Sequence, residues 1–241
     1  MAFGNQDADG EAIVRRICAY LDGHPYHNSA AIESLDTDIN KYLDHNASDT
    51  TKELSAVQTS WLQTLLYGAI WTFVRTDEGS LSELLIYLEG REPSRFSHPI
   101  AQALYGVQDD LARYGIWKEW IPYCHLVGTL IESDLELLKL LEHEHRVLRI
   151  MVWAFDDQVD LKLRGTLMGG AATCLSKLSR PVVQYIASQT WGMKGFRSKE
   201  SVTPVDWQHW TRLMEAFGND ESQDAEITEA AKKAVEFMHA E

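Results

Sequence analysis

The stretch L-S-A-V-Q-T-S-W-L-Q-T-L-L-Y-G-A-I-W-T-F-V, Leu54 to Val74, carries no charged residue and approaches the length of a membrane span. Its composition argues against one. Ser55, Gln58, Thr59, Ser60, Gln63, Thr64 and Thr72 are too many polar groups to place cheaply in hydrocarbon. The apolar residues fall in two adjacent helical rows, Trp61, Leu65 and Phe73 beside Leu62, Leu66, Ile70 and Val74. The segment therefore predicts the central helix of a water-soluble core.

The same period of 3.6 recurs along the chain, while period-2 alternation is almost absent. Ile13, Ile17 and Leu21, flanked by Val14 and Cys18, predict a first helix. Ile32, Leu35, Ile39, Tyr42 and Leu43 predict a second. Ser80 with Glu83 is a capping box opening a helix with Leu81, Leu84, Leu85 and Leu88, which Gly90 ends. Arg91 to Pro99 predicts a loop, with Pro99 in the first turn of a helix running to Tyr114-Gly115. From Trp117 to Leu163 the helical pattern is nearly continuous, and a second capping box, Ser133 with Glu136, divides it. Gly165 and Gly169-Gly170 are expected to loosen the chain before a helix around Cys174 and Leu178. Arg180-Pro181 starts the next helix, and Met193 to Val202 reads as a loop or lid. Thr203, Pro204 and Asp206 then suit the cap, first and third positions of a helix. A last amphipathic helix uses Ile227, Ala230, Ala231, Ala234, Val235 and Met238. The expected architecture is all-α: one irregular bundle of about nine or ten helices over residues 1–241, with residues 1–8 disordered.

Composition narrows the function. The 241 residues hold 22 Lys+Arg against 36 Asp+Glu, a formal charge of −14, which leaves no basic stripe for a nucleic-acid backbone. The N-terminal residues lack the basic and apolar regions of a signal peptide. Three widely spaced cysteines, Cys18, Cys124 and Cys174, predict buried thiols in a reducing cytoplasm rather than a disulfide framework. A homo-oligomer is compatible with all of this.

Chemistry-bearing patterns are few. Asp156-Asp157-Gln158-Val159-Asp160 is a D-D-x-x-D in which Asp156 and Asp160 share a helical face, as in Mg²⁺-diphosphate sites of terpene synthases. The second metal motif of that chemistry is not matched at Asn219-Asp220-Glu221-Ser222, where the hydroxyl comes one residue early. Preceding it, Val147 to Phe155 is apolar around most of the helix except at Arg149. Trp153 follows one turn on, placed for cation–π stacking, and Asp156 two turns on. His143 and His145 point about 200° apart on a helix and cannot share a metal; Glu142 and Arg146 suit a surface pair. His24, His27 and His45 could meet around zinc only through tertiary contact. His125 is a core histidine or a pocket acid–base. Walker, G-x-G-x-x-G, G-x-S-x-G and C-x-x-C patterns are absent, so no cofactor is expected.

Aromatic residues are the compositional outlier. Eight tryptophans occur: Trp61, Trp71, Trp117, Trp120, Trp153, Trp191, Trp207 and Trp210. Most are expected to fill the core. Tyr67 and Trp71, however, sit at i,i+4 away from the aliphatic rows of their helix, as in the wall of a cavity for an apolar ligand.

Pro204-Val205-Asp206-Trp207-Gln208-His209-Trp210, then Phe217 and Ala234-Val235-Glu236-Phe237-Met238, resemble the C-terminal part of a fungal family known as a domain of unknown function. Trp153-Ala154-Phe155 lacks one residue of that family's Trp-x-Ala-Phe stretch, and Trp117 to Pro122 follows its Trp-x-x-Leu-Pro segment in outline. The resemblance implies a fungal, cytosolic, all-helical protein with some relatives near secondary-metabolite gene clusters. It carries over no catalytic residue.

The expected function is binding of an apolar small molecule, with metal- and cofactor-independent cyclase (pericyclase-like) or isomerase chemistry. Shape and a few hydrogen-bond donors suffice for such catalysis. Arg149 and His125 are the candidate catalytic residues, and Tyr67, Trp71, Trp120, Trp153 and Asp156 the candidate substrate contacts. Two alternatives stand. One is a protein-interaction scaffold, favoured by the eight acids and two lysines from Glu215 onwards. The other is Mg²⁺-dependent diphosphate chemistry at Asp156, Asp157 and Asp160.

Overall fold

The computed structural model describes residues 12–13, 16, 33–34, 36–41, 56–76, 80–91, 93–133, 143–155, 161–196 and 199–239. Among the described residues the protein is all-helical apart from one small two-stranded sheet. No helix among the described residues is long and apolar enough to cross a membrane. Contacts group the chain into two compact units, Met1–Asp110 and Leu111–Glu241.

In the first unit, α1 spans Ala56–Thr76. Of the two rows expected to be apolar, Leu62, Leu66, Ile70 and Val74 are all buried, and so are Leu65 and Phe73, while Trp61 is half-buried. Helix α2, Ser80–Arg91, packs Leu81, Leu84, Leu85 and Leu88 into the same core. Helix α3, Pro93–Tyr114, corrects the expected loop over Arg91 to Pro99. Pro93 takes the first position, where a missing N–H costs nothing, and Pro99 lies inside the helix. A proline there removes one backbone hydrogen bond. The stripe Phe96, Ile100, Leu104, Val107 and Leu111, all buried, holds the segment helical in spite of it. Ser97 Oγ also donates to Glu89 Oε1 at 2.8 Å, tying the start of α3 to α2. Of the first two expected helices, residues 12–13, 16, 33–34 and 36–41 are helical where described. Buried Asp36 pairs with Arg91, accepts from Asn40 Nδ2 at 2.7 Å, and Arg95 Nη1 donates to Asn40 Oδ1 at 2.8 Å.

Helix α3 ends where Gly115 takes φ +65° and Ile116 N–H donates to Leu111 O at 3.0 Å, a left-handed cap that suits glycine. In the second unit a 3₁₀ turn, Trp117–Glu119, leads into α4, Trp120–Ser133. Pro122 falls in the first turn of α4, where it is tolerated. Ser133 closes α4, its hydroxyl donating to Thr129 O at 2.7 Å. The helix expected to start behind it lies outside the described residues. Then follow α5 (His143–Phe155), α6 (Leu161–Lys177), α7 (Arg180–Ser188), α8 (Pro204–Gly218) and α9 (Ala225–Met238).

Helix α6 is the centre of this unit, touching α4, α5, α8 and α9. It runs unbroken through Gly165, Gly169 and Gly170, which were expected to loosen the chain. The glycines serve packing instead. A Cβ on Gly170 would lie 2.5 Å from the Trp120 ring and 2.9 Å from Cys124 Sγ. A Cβ on Gly128, opposite, would lie 2.5 Å from Cys174 O. Helices α4 and α6 thus meet nearly backbone to backbone.

Strands β1, Trp191–Phe196, and β2, Lys199–Val202, pair antiparallel between α7 and α8, with Trp191 opposite Val202 and an irregular register between Gly192 and Phe196. A hairpin therefore stands where a loop was expected. Met193 and Val202 are buried, which gives even this polar segment an inner face.

Two glycine substitutions separate these roles. Gly128→Ala is expected to destabilise the protein by about 1–3 kcal/mol, because its methyl meets backbone that cannot move aside. Gly68→Ala, on α1 with nothing within 4 Å of the new methyl, is expected to stabilise it by about 0.5–1 kcal/mol. Thermal or denaturant unfolding of both variants checks the signs.

Candidate functional site

The residues singled out by sequence divide between the two units. In the first, Tyr67 packs its ring edge on Gly106, where an added Cβ would lie 3.2 Å away, and its hydroxyl donates to Asp110. Trp71 meets Tyr67 edge-on at 6.4 Å, with the Arg75 guanidinium 5.0 Å from its ring centre. These contacts engage both rings within the unit's own packing.

In the second unit, Trp120 and Trp153 belong to one aromatic cluster. Trp117 lies 5.9 Å from Trp120 and 5.7 Å from Trp153, and Trp120 lies 6.4 Å from Trp153 and 5.9 Å from Tyr123. Trp120 and Tyr123 are fully buried, and Trp117 and Trp153 half-buried. With Gly170 pressed against Trp120, these rings are close-packed filling. Arg149 and His125 are half-buried, Arg149 one turn before Trp153 on the less buried side of α5. Asp156, Asp157 and Asp160 lie outside the described residues, as do Cys18, Glu142, His24, His27 and His45. Among the described residues no group of three or more His, Cys, Asp or Glu side chains is placed to hold a metal ion.

Arg146 corrects the expected surface pair with Glu142: it is buried and hydrogen-bonded to Tyr123. Burial raises the Tyr123 hydroxyl's pKa in spite of that arginine, so the phenol stays protonated. Burial likewise pushes the Cys174 thiol up to about 12 and the Cys124 thiol well above its ordinary value. Neither cysteine is poised as a nucleophile.

An open volume among the described residues lies elsewhere, in a cleft of about 570 Å³ bounded by α7, α8 and the end of α9. Its floor is buried Trp207, Thr211 and Met238. Helix α7 contributes Gln184, Ala187 and Ser188. Exposed Pro204, Gln208, Arg212 and His239 form the rim. Thr211 Oγ1 is committed to Trp207 O at 2.7 Å, while the buried Trp207 Nε1 has no hydrogen-bond acceptor. Arg212 Nε donates to Gln208 O at 3.3 Å. None of Tyr67, Trp71, Trp120, His125, Arg149 or Trp153 lines this cleft.

Local sequence explains why α8 starts where it does. Thr203 Oγ1 accepts from Asp206 N–H at 3.4 Å, and the Asp206 carboxylate accepts from Thr203 N–H and Oγ1, both at 2.8 Å, completing the capping box. Lys199 Nζ, from β2, donates to Asp206 Oδ1 at 2.7 Å and so joins the hairpin to the helix that carries the floor. Partial burial acts to raise the Asp206 carboxyl pKa, but the bonds from Lys199 and Thr203 outweigh it and hold the pKa below the usual value.

An apolar floor with polar donors on the rim can seat a small molecule and orient its polar end. The His239 imidazole can relay a proton and the Arg212 guanidinium can stabilise developing negative charge. Trp207 and Gln208 fall in the stretch that carries the family resemblance, yet no spacing rule marks the cleft, which forms only when three helix ends meet. The chain matches no protein-family model, no curated protein and no solved structure.

Asp206→Asn is expected to cost about 1 kcal/mol, the usual worth of a helix cap. Because the folded-state carboxyl pKa is depressed, the stabilisation is complete above the unfolded-state value near ~4 and is lost as pH falls through the folded one. The gap in melting temperature between wild type and variant should be constant at neutral pH and close below about pH 4.

Proposed function

We propose that this protein is a small-molecule-binding cyclase or isomerase, needing no metal or cofactor, that acts on an apolar intermediate of fungal secondary metabolism held in the α7–α8–α9 cleft. The observation that carries the reading is the cleft itself, a volume of drug-like size with a Trp207 and Met238 floor and convergent polar groups above it. Its catalysis would rest on folding the substrate into a reactive conformer, with Arg212 stabilising charge on a carbonyl oxygen and His239 moving a proton where one must move. The fungal and secondary-metabolic setting rests on the sequence resemblance alone. Arg149 and His125, the residues the sequence favours for catalysis, sit off the cleft and have no role in this reading.

A second reading, a non-catalytic interaction module, draws support from Tyr185 at 60% and Val205 at 72% exposure on the two helices that flank the cleft.

The two differ in a measurable way. Incubation with an apolar natural-product extract should yield retained compounds, and cyclisation or isomerisation should convert one of them to a product of unchanged mass, with or without a chelator. Ala187→Trp, which fills the cleft, should abolish retention and conversion while leaving thermal stability intact. Retention without any mass-neutral conversion would leave only a binding protein, and retention unaffected by Ala187→Trp would move the site elsewhere.

A further inference from the structure

The cleft has a charge character at odds with the chain around it. Acids outnumber bases 36 to 22 overall, yet the described residues that line the cleft include Arg212 and His239 and no carboxylate. Neither Arg212 nor His239 is engaged in an ion pair among the described residues. Arg212 reaches only the Gln208 carbonyl oxygen, through Nε at 3.3 Å, which leaves its terminal nitrogens open to a ligand. Lys199 and Asp206 neutralise one another at 2.7 Å at the hairpin–α8 junction and are not among the residues that line the cleft.

We infer that the natural ligand of this cleft is a flat apolar molecule bearing one oxyanion, such as a carboxylate, which Arg212 and His239 hold at the rim while its ring system lies over Trp207 and Met238. The net charge of −14 makes the local pair necessary, because the protein as a whole repels anions. A guanidinium suits this task, offering two parallel donors to two oxyanion oxygens. Arg212 has no acidic partner among the described residues to compete for it, so the site favours an anionic ligand over a cationic one and selects for the charged form of an acid.

The inference rests on the cleft being the binding site, and a matched pair of fluorescent probes separates the two claims. Anilinonaphthalene sulfonate and N-phenylnaphthylamine share one aromatic body and differ by a sulfonate. Wild-type protein should bind the sulfonate more tightly at low ionic strength, with an advantage that shrinks as salt is added. Arg212→Gln should weaken the sulfonate about tenfold and leave the uncharged probe within about twofold. His239→Gln should act in the same direction by less. Ala187→Trp should displace both probes. If Ala187→Trp displaces both but Arg212→Gln leaves their affinity ratio unchanged, the cleft is a binding site and the anionic class is wrong. If both probes survive Ala187→Trp, or neither binds wild type, the cleft reading fails and the inference falls with it.

Discussion

The second unit depends on how closely α4 and α6 approach. Gly128 lies against the carbonyl of Cys174 and Gly170 against the Trp120 ring, so neither glycine position has room for a methyl group. That approach puts α6 in reach of α4, α5, α8 and α9 at once. It also costs something. The Trp120 indole N–H is buried without an acceptor, a penalty of about 1–3 kcal/mol that the ring's burial and its aromatic neighbours must offset. Close packing is favoured over hydrogen-bond satisfaction here because the ring presents far more apolar surface than its one N–H presents polar surface.

The same contact explains which parts of the fold are readable from sequence. Amphipathic stripes and capping residues are local, and they transfer well: the rows of α1, the Thr203–Asp206 box and the last helix all appear as their patterns predict. Glycine and proline are ambiguous because propensity alone reads them as breaks. At Gly169-Gly170 tertiary packing overrides that tendency, and at Pro99 the buried stripe from Phe96 to Leu111 does. The hairpin is missed for the opposite reason. Its residues are polar and glycine-rich, without the β-branched alternation that marks a strand, and only Met193 and Val202 show an inner side.

The candidate site was less legible still. An excess of tryptophan suggests a cavity or a dense core with equal force, and Trp117, Trp120 and Trp153 satisfy one another within 5.7 to 6.4 Å. The cleft, by contrast, joins residues from Gln184 to His239 across three helices, so no short spacing records it. Trp207 is the one aromatic on its floor, and its sequence context gives no sign that it differs from Trp210, which stacks on Phe155 at 5.8 Å. Arg146 carries the same lesson in charge. Its i,i+4 neighbour suggests a solvated pair, but the core that closes over α5 takes the guanidinium to Tyr123 instead.

What gives the cleft its shape is the order in which its walls are fixed. Helix α9 is anchored to α6 and α8 by buried Ala231, Ala234 and Met238, with Gly218 allowing close contact at Ala231. Helix α8 is held at its start by the capping box and, through Lys199, by the hairpin. Helix α7, only nine residues long, is fixed at its far end by Trp191, whose indole N–H donates to Ile186 O at 2.8 Å. Two of the three walls are thus secured by side chains of the hairpin, one from each strand. A perturbation of the hairpin would shift α7 and α8 relative to each other before it reached the core beneath α6. The segment that sequence suggests as a loop or lid is thus tied to α7 through Trp191 and to α8 through Lys199.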